Sequence, residues 1–391
     1  MALTLVADDL TGACDTGALF AGGGRVSVLV WGTSMDGADH GAHGAVALDT
    51  ESREAAPGEA AARCRAMAGP WVAPGAGRRL FKKIDSTMRG PIGAELDALL
   101  DVSGLAGALV CPSFPAQGRT VVGGELRVDG VAAHRSAIGR DPGYPGATSD
   151  LRDILARQCR RAVRHLALHD VRGDGAVTRA LDAARDALLV ADAERGEDLD
   201  ALARAALARP GLLVAGSAGL GRAVATALGL LAGATLPARA AWLVVAGSQH
   251  PATRAQVAAL RHAGVAGASI DEADGAGRVT AALRAGRSAF LTTPDAPAAD
   301  RAEVAARTAA RVADVLALAR PGLLALVGGQ TAHAVLRRLD ARRLDLAGAP
   351  ADGLAAGELS LAAGPPLPVL TKAGGFGPPE LFVDLLRGGA A

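Results

Sequence analysis

Three segments in the C-terminal part of the chain pair an apolar run with glycines and a small hydroxyl or a lysine. They are Leu243-Val244-Val245-Ala246-Gly247-Ser248, Leu326-Val327-Gly328-Gly329-Gln330-Thr331, and Lys372-Ala373-Gly374-Gly375-Phe376-Gly377. A strand that ends in such a turn and leads into a helix leaves backbone N–H groups pointing outward, a setting that suits an anion, usually phosphate. One such junction is most simply a capped helix behind a tight turn. Three in one domain point to a polyphosphate, hence a nucleotide, with Ser248, Gly328, Gly329, Gln330, Thr331, Lys372, Gly374 and Gly375 as the candidate contacts. His250 lies beside the first turn and could touch phosphate or help cap the helix. No G-x-x-x-x-G-K-[ST] is present, and Gly216-Ser217-Ala218-Gly219-Leu220-Gly221 has its glycines in the wrong order for a dinucleotide fingerprint.

The N-terminal part carries a different chemistry. Asp8 and Asp9 follow an apolar run, with Asp15 one helical turn further on. Lys82-Lys83-Ile84-Asp85-Ser86-Thr87-Met88-Arg89 packs two lysines, a carboxylate, two hydroxyls and an arginine into eight positions. The mixture suits a small acid that carries hydroxyls. Arginine forks a carboxylate, and aspartate accepts a hydroxyl proton. Arg53 and Arg119 are further candidates for the acid's carboxylate. Strand alternation keeps Lys82 and Lys83 from both facing one ligand, so one binds and the other lies on a solvated face.

The elements that must position these groups alternate along the chain. Leu3–Ala7, Val26–Trp31, Ala45–Leu48, Arg79–Ile84 and Gly107–Cys111 read as strands. Thr11–Ala21, Pro57–Ala68 and Gly93–Leu100 read as helices. This order predicts an α/β fold of two domains, with mostly parallel sheets, flanking helices and a cleft between the domains. Ligands of such sheets gather at the carboxyl ends of strands. The clusters at Asp8-Asp9, Asp49–Arg53, Asp85–Arg89 and Ser113–Arg119 all fall there. Val121–Pro145 breaks the alternation and reads as a β-hairpin excursion turning at Asp129-Gly130. A boundary is expected between Leu231 and Ala241, where Gly233, Pro237 and Arg239 break periodicity. The domains are therefore 1–235, for substrate, and 236–391, for nucleotide.

Bulk properties narrow the function. A chain of 391 residues is long for one core. A net charge of +1 gives no field favouring nucleic acid or membrane. The four cysteines, Cys14, Cys64, Cys111 and Cys159, form no C-x-x-C pair, which fits a reducing cytoplasm. No signal peptide or membrane-spanning run is visible. His165 and His169 have i, i+4 spacing, but Val163–Val171 alternates as a strand, which argues against a metal site, and no other protein metal ligands are assigned. Asp271-Glu272-Ala273-Asp274 reads as a solvated acidic turn.

The ordered set of motifs resembles the four-carbon acid sugar kinases, formerly a domain of unknown function, whose members phosphorylate threonate, erythronate or 3-oxo-tetronate with ATP. The resemblance rests on Ala7-Asp8-Asp9-Leu10-Thr11-Gly12-Ala13-Cys14-Asp15-Thr16-Gly17, Asp49-Thr50-Glu51-Ser52-Arg53, the Lys82–Gly90 segment and Pro115-Ala116-Gln117-Gly118-Arg119-Thr120. It continues through Gly216–Leu220, Gly247-Ser248, Gly328–Ala332 and Thr371–Gly377. It implies an acid sugar at the Asp8-Asp9 and Asp85–Arg89 ends, ATP at Ser248, Gly328–Thr331 and Gly374-Gly375, and Mg²⁺ bridging the phosphates. Asp9 and Asp85 are the two candidates for the catalytic base. The partner is a small-molecule sugar acid, with a homodimer as a possible assembly. The family usually has an acidic residue where Gln330 stands, and Gly-Glu where this chain has Gly348-Ala349. Those departures keep a non-catalytic sugar-acid and ATP sensor as an alternative, beside a dinucleotide-dependent oxidoreductase.

Overall fold

The computed structural model describes residues 2–33, 44–141, 143–173, 175–234, 236, 240–294 and 300–388. The chain divides into two compact units, Met1–Gly23 with Gly41–Leu231, and Gly24–His40 with Ala232–Ala391. The C-terminal division falls at Leu231; Pro237 and Arg239, named in the expected boundary, lie outside the described residues. The first domain expected from sequence was continuous, whereas here the stretch from Gly24 groups with the C-terminal unit. Its strand Val26–Val30 explains why, because it pairs antiparallel with Arg343–Gly348.

The first unit is built on seven parallel strands. Their order is Ala45–Asp49, Leu3–Ala7, Arg79–Lys83, Leu212–Gly216, Gly107–Cys111, Ala187–Ala191 and Ala162–Leu166. Leu3–Ala7 is buried at every position, as a strand covered on both faces must be. The register aligns the strand ends. Ala7 pairs with both Asp49 and Lys83, Lys83 with Gly216, and Gly216 with Cys111. Each expected polar cluster therefore leaves the sheet along one edge. The chain also crosses from Ala45–Asp49, on one side of Leu3–Ala7, to Arg79–Lys83 on the other. That is the topological switch at which α/β sheets hold ligands.

A separate three-stranded sheet joins Arg119–Val122, Glu125–Val128 and Val131–Ala132. The expected turn forms at Asp129 and Gly130, with φ of 50° and 79°, the paired left-handed geometry of a tight hairpin. The reading of Val163–Val171 as one strand needs correction. The strand ends at Leu166, and Leu168–Val171 is a short helix. His165 lies 2.8 Å from Asp192, whereas His169 sits exposed on that helix. A short helix, Leu151–Ala156, precedes that strand.

In the second unit five parallel strands run in the order Ala266–Ser269, Ala289–Thr292, Trp242–Ala246, Leu323–Val327 and Leu367–Lys372. Leu354–Ser360, Arg343–Gly348 and Val26–Val30 extend the sheet antiparallel. Trp242, Phe290 and Phe382 anchor its core. In each unit the main strands are mostly parallel and flanked by helices, the α/β class expected. Among the described residues no helix is long and apolar enough to cross a membrane.

Candidate active site

The three strand–glycine junctions belong to three adjacent parallel strands. Ala246 pairs with Val327, and Val327 with Lys372, so the turns that follow lie side by side. Their contacts are close. A Cβ added to Gly374 would sit 2.1 Å from Ser248 Oγ, one on Gly247 1.8 Å from Thr331 Oγ1, and one on Gly328 3.2 Å from Ser248 Cβ. Only glycine fits the first two places. Gly328 also adopts φ 100°, which disfavours any side chain. Thr253 Oγ1 donates to the Gly374 carbonyl at 2.7 Å, and the His250 ring accepts from Ala252 N–H at 3.2 Å as the helix cap. Gly328 donates its own N–H to the Lys372 carbonyl at 3.0 Å, so its part is conformational. Ser248, Gly329, Gln330 and Gly374 are half-buried, Thr331 is buried and Gly375 is exposed at the tips.

Lys372 is buried at the end of its strand. Its ammonium donates to the carbonyls of Ala373 at 3.0 Å and Gly374 at 3.4 Å. Burial pushes it down to about pKa 7. A cation held among backbone carbonyls next to a glycine cradle is poised to gain from an arriving anion.

In the first unit Arg53 grips both aspartates at once. Nε and Nη2 donate to Asp8 at 2.8 Å each, while Nη1 and Nη2 donate to Asp9 at 2.9 and 2.8 Å. Burial alone would raise the Asp8 carboxyl, but the adjoining guanidinium outweighs this and holds it below its ordinary value. Asp9 also caps the helix Leu10–Ala18, accepting from Gly12 N–H at 2.9 Å and Thr11 Oγ1 at 2.7 Å. Arg89 likewise forks Asp85, through Nε and Nη2 at 2.9 Å each, and Thr87 donates its N–H and hydroxyl to the same carboxylate. Burial would raise Asp85, yet Arg89 and Arg53 together hold it well below the usual carboxylate range.

These pairings change the parts expected of the cations. Arg53 and Arg89 were read as clamps for the acid's carboxylate, but their forks are engaged by the protein's own aspartates. Neither adjacent lysine lies on a solvated face. Lys82 is fully buried and ion-paired with fully buried Glu95 at 2.8 Å. Lys83 is also buried, and among the described residues it has no hydrogen-bond or ion-pair partner. A Cβ on Gly12 would meet Lys83 Nζ at 3.1 Å and Asp9 Oδ1 at 2.5 Å, which places ammonium and carboxylate around the same point. Ser86 is half-buried beside Asp85. Arg119 opens the separate three-stranded sheet, and its guanidinium bonds the Gln117 carbonyl. Glu95 had no part in the sequence reading. Its only signal was an acidic residue in the first turn of a helix following the Asp85–Arg89 cluster.

Comparison with known proteins agrees with this division of chemistry. Residues 3–224 match the model of a sugar-binding N-terminal domain, and 243–382 that of a nucleotide-binding C-terminal domain. The chain is 36% identical to a D-threonate kinase of Cupriavidus necator, covering 96% of this chain and 95% of the relative. It is 32% identical to a D-threonate kinase of Salmonella typhimurium, covering 99% and 98%. A crystal structure from Haemophilus influenzae shares the fold at a TM-score of 0.70 and 23% identity, covering 97% of this chain and 98% of that one.

Proposed function

Because the chain belongs to the four-carbon acid sugar kinases, enzymes that phosphorylate an alcohol group, we propose that it uses ATP to phosphorylate the terminal hydroxyl of a four-carbon sugar acid, with D-threonate the first acid to test. The observation that carries the nucleotide half is the glycine cradle at three neighbouring strand ends, where Ser248 Oγ and the Gly374 α-carbon leave no room for a side chain. Ser248, Gly329, Gln330, Thr331, Gly374 and Gly375 would hold the phosphates, and Lys372 would offset their charge. ATP supplies the phosphoryl group, and Mg²⁺ supplies charge neutralisation on the triphosphate.

The acid half rests on Lys83. Arg53, Arg89 and Lys82 already have carboxylate partners, whereas Lys83, in the same cluster and beside Asp9, has none among the described residues, and it is the cation this reading assigns to the substrate's carboxylate. Asp9 is the base this geometry favours. It lies beside Lys83 at the carboxyl end of the Leu3–Ala7 strand. Asp85 is held well below its ordinary range, which makes it a weak proton acceptor. In this reading Arg53 orients Asp9, and Arg89 with Asp85 shapes the neighbouring wall.

The test is ADP release with ATP and a panel of D-threonate, L-threonate, D-erythronate and 3-oxo-tetronate, using the parent, Lys83→Met and Asp9→Asn. The reading expects turnover with at least one acid. It expects a raised acid KM in Lys83→Met and a kcat reduced by about 10²-fold or more in Asp9→Asn. Turnover unchanged by both substitutions would remove the site assignment.

A further inference from the structure

Glu95 is fully buried, and so is its partner Lys82. A fold seldom needs such a pair for stability, since apolar residues of similar volume commonly serve as well or better. The second partner of Glu95 indicates another use. Its carboxylate accepts from the hydroxyl of Ser52, which sits 2.6 Å from the hydroxyl of Thr50. Thr50 in turn donates to the Ala7 carbonyl at 2.8 Å, and the Ser52 N–H donates to the Asp8 carbonyl at 2.9 Å. The turn so anchored ends at Arg53, the residue that grips Asp8 and Asp9.

That turn is unfavourable by itself. Glu51 has φ 45°, a left-handed conformation costing a non-glycine residue roughly 1 kcal/mol or more. It persists only if its neighbours fix it. Glu95 projects from the first turn of the Ile92–Ser103 helix, where the positive end of the helix favours a carboxylate. It is therefore a rigid post behind the turn. Lys82 reaches it from the Arg79–Lys83 strand, which is hydrogen-bonded to the Leu3–Ala7 strand that leads into Asp8.

We propose that Glu95 is a positioning residue: by holding the Ser52 hydroxyl it fixes the Thr50–Arg53 turn, and through Arg53 it sets the geometry of Asp8 and Asp9. The catalytic consequence rests on the kinase reading above, whereas the structural link to Arg53 does not.

The test compares two double variants that both neutralise the buried pair. In Lys82→Met/Glu95→Gln, position 95 keeps an amide oxygen that can accept from Ser52. In Lys82→Met/Glu95→Leu it keeps no acceptor. The expected result is similar thermal stability for the two, with kcat at least about tenfold lower in the leucine form and acid KM changed less. Ser52→Ala, which leaves the ion pair intact, should fall the same way. A readout independent of turnover is solvent exchange of the Arg53 Nε–H by ¹⁵N NMR in ligand-free protein, with the signal assigned by its loss in Arg53→Lys. Exchange should be slow in the parent and the glutamine form, and fast in the leucine form and in Ser52→Ala. Equal activity and equal exchange in the two double variants would overturn the proposal. So would parent-like exchange in Ser52→Ala, which decides the matter even if the double variants do not fold. A parent that turns over no acid, with the exchange pattern intact, would instead count against the kinase reading alone.

Discussion

The ammonium of Lys83 and the carboxylate of Asp9 border one point in space, the position a Cβ would take on Gly12: such an atom would lie 3.1 Å from Lys83 Nζ and 2.5 Å from Asp9 Oδ1. Gly12 is thus required by close approach, in the first turn of a helix whose cap is Asp9 itself. Gly12→Ala should push the two charged groups off their positions. We expect acid KM or kcat to worsen by about tenfold or more while the nucleotide KM stays near its parent value, as steady-state kinetics with each substrate varied would show.

The adjacent lysines should behave in opposite ways. Lys82→Met leaves Glu95 as an uncompensated buried charge and should destabilise the protein by about 3–5 kcal/mol in urea unfolding. Lys83→Met removes a cation that has no ion-pair partner among the described residues, so stability should hold or rise while acid KM climbs at least about tenfold. Equal loss of stability in the two variants would contradict these assignments.

How far the sequence carried this account differs between the two units. The glycine junctions were readable because each has a local signature, and the α/β order that places their strands together follows from alternation. The polar clusters were readable as strand ends for the same reason. The pairings were not. That Arg53 would turn inward to Asp8 and Asp9, separated from them by more than forty positions, depends on the register of Ala45–Asp49 beside Leu3–Ala7. Lys82 was misread because alternation reports only that two neighbours face opposite ways. In a sheet covered on both faces, neither direction is solvent. The antiparallel strands Arg343–Gly348 and Leu354–Ser360, and the strand contributed from Val26–Val30, had no turn signature strong enough to announce their partners.

Asp15 makes stability depend on pH. Burial pushes its carboxyl up to about 6 from 3.8, against the pull of Lys83. The folded protein therefore binds this proton more tightly than the unfolded chain. The resulting stability is full below pH 4 and is lost as pH rises through 6. Asp15→Asn should match the parent near pH 4 and exceed it at pH 8, by up to about 3 kcal/mol in urea unfolding. A gain independent of pH would contradict this reading.

Lys372 should make nucleotide binding take up a proton. Burial holds its ammonium at about pKa 7, so at pH 8 the free protein carries it largely neutral. A bound triphosphate favours the charged form and raises that value. Calorimetry of a non-hydrolysable ATP analogue in buffers of different ionisation enthalpy should report net proton uptake at pH 8 that shrinks as pH falls through 7. Lys372→Met should abolish the uptake.

The central claim is that ATP binds the glycine cradle of the C-terminal unit. Its most direct test is titration of parent and Gly374→Ala with ATP and Mg²⁺, because the added Cβ would lie 2.1 Å from Ser248 Oγ and must displace that hydroxyl. The account predicts saturable one-to-one binding by the parent and affinity at least about tenfold weaker in the variant, with the fold intact by circular dichroism. Equal affinity in the two proteins, or no binding by a folded parent, would contradict it.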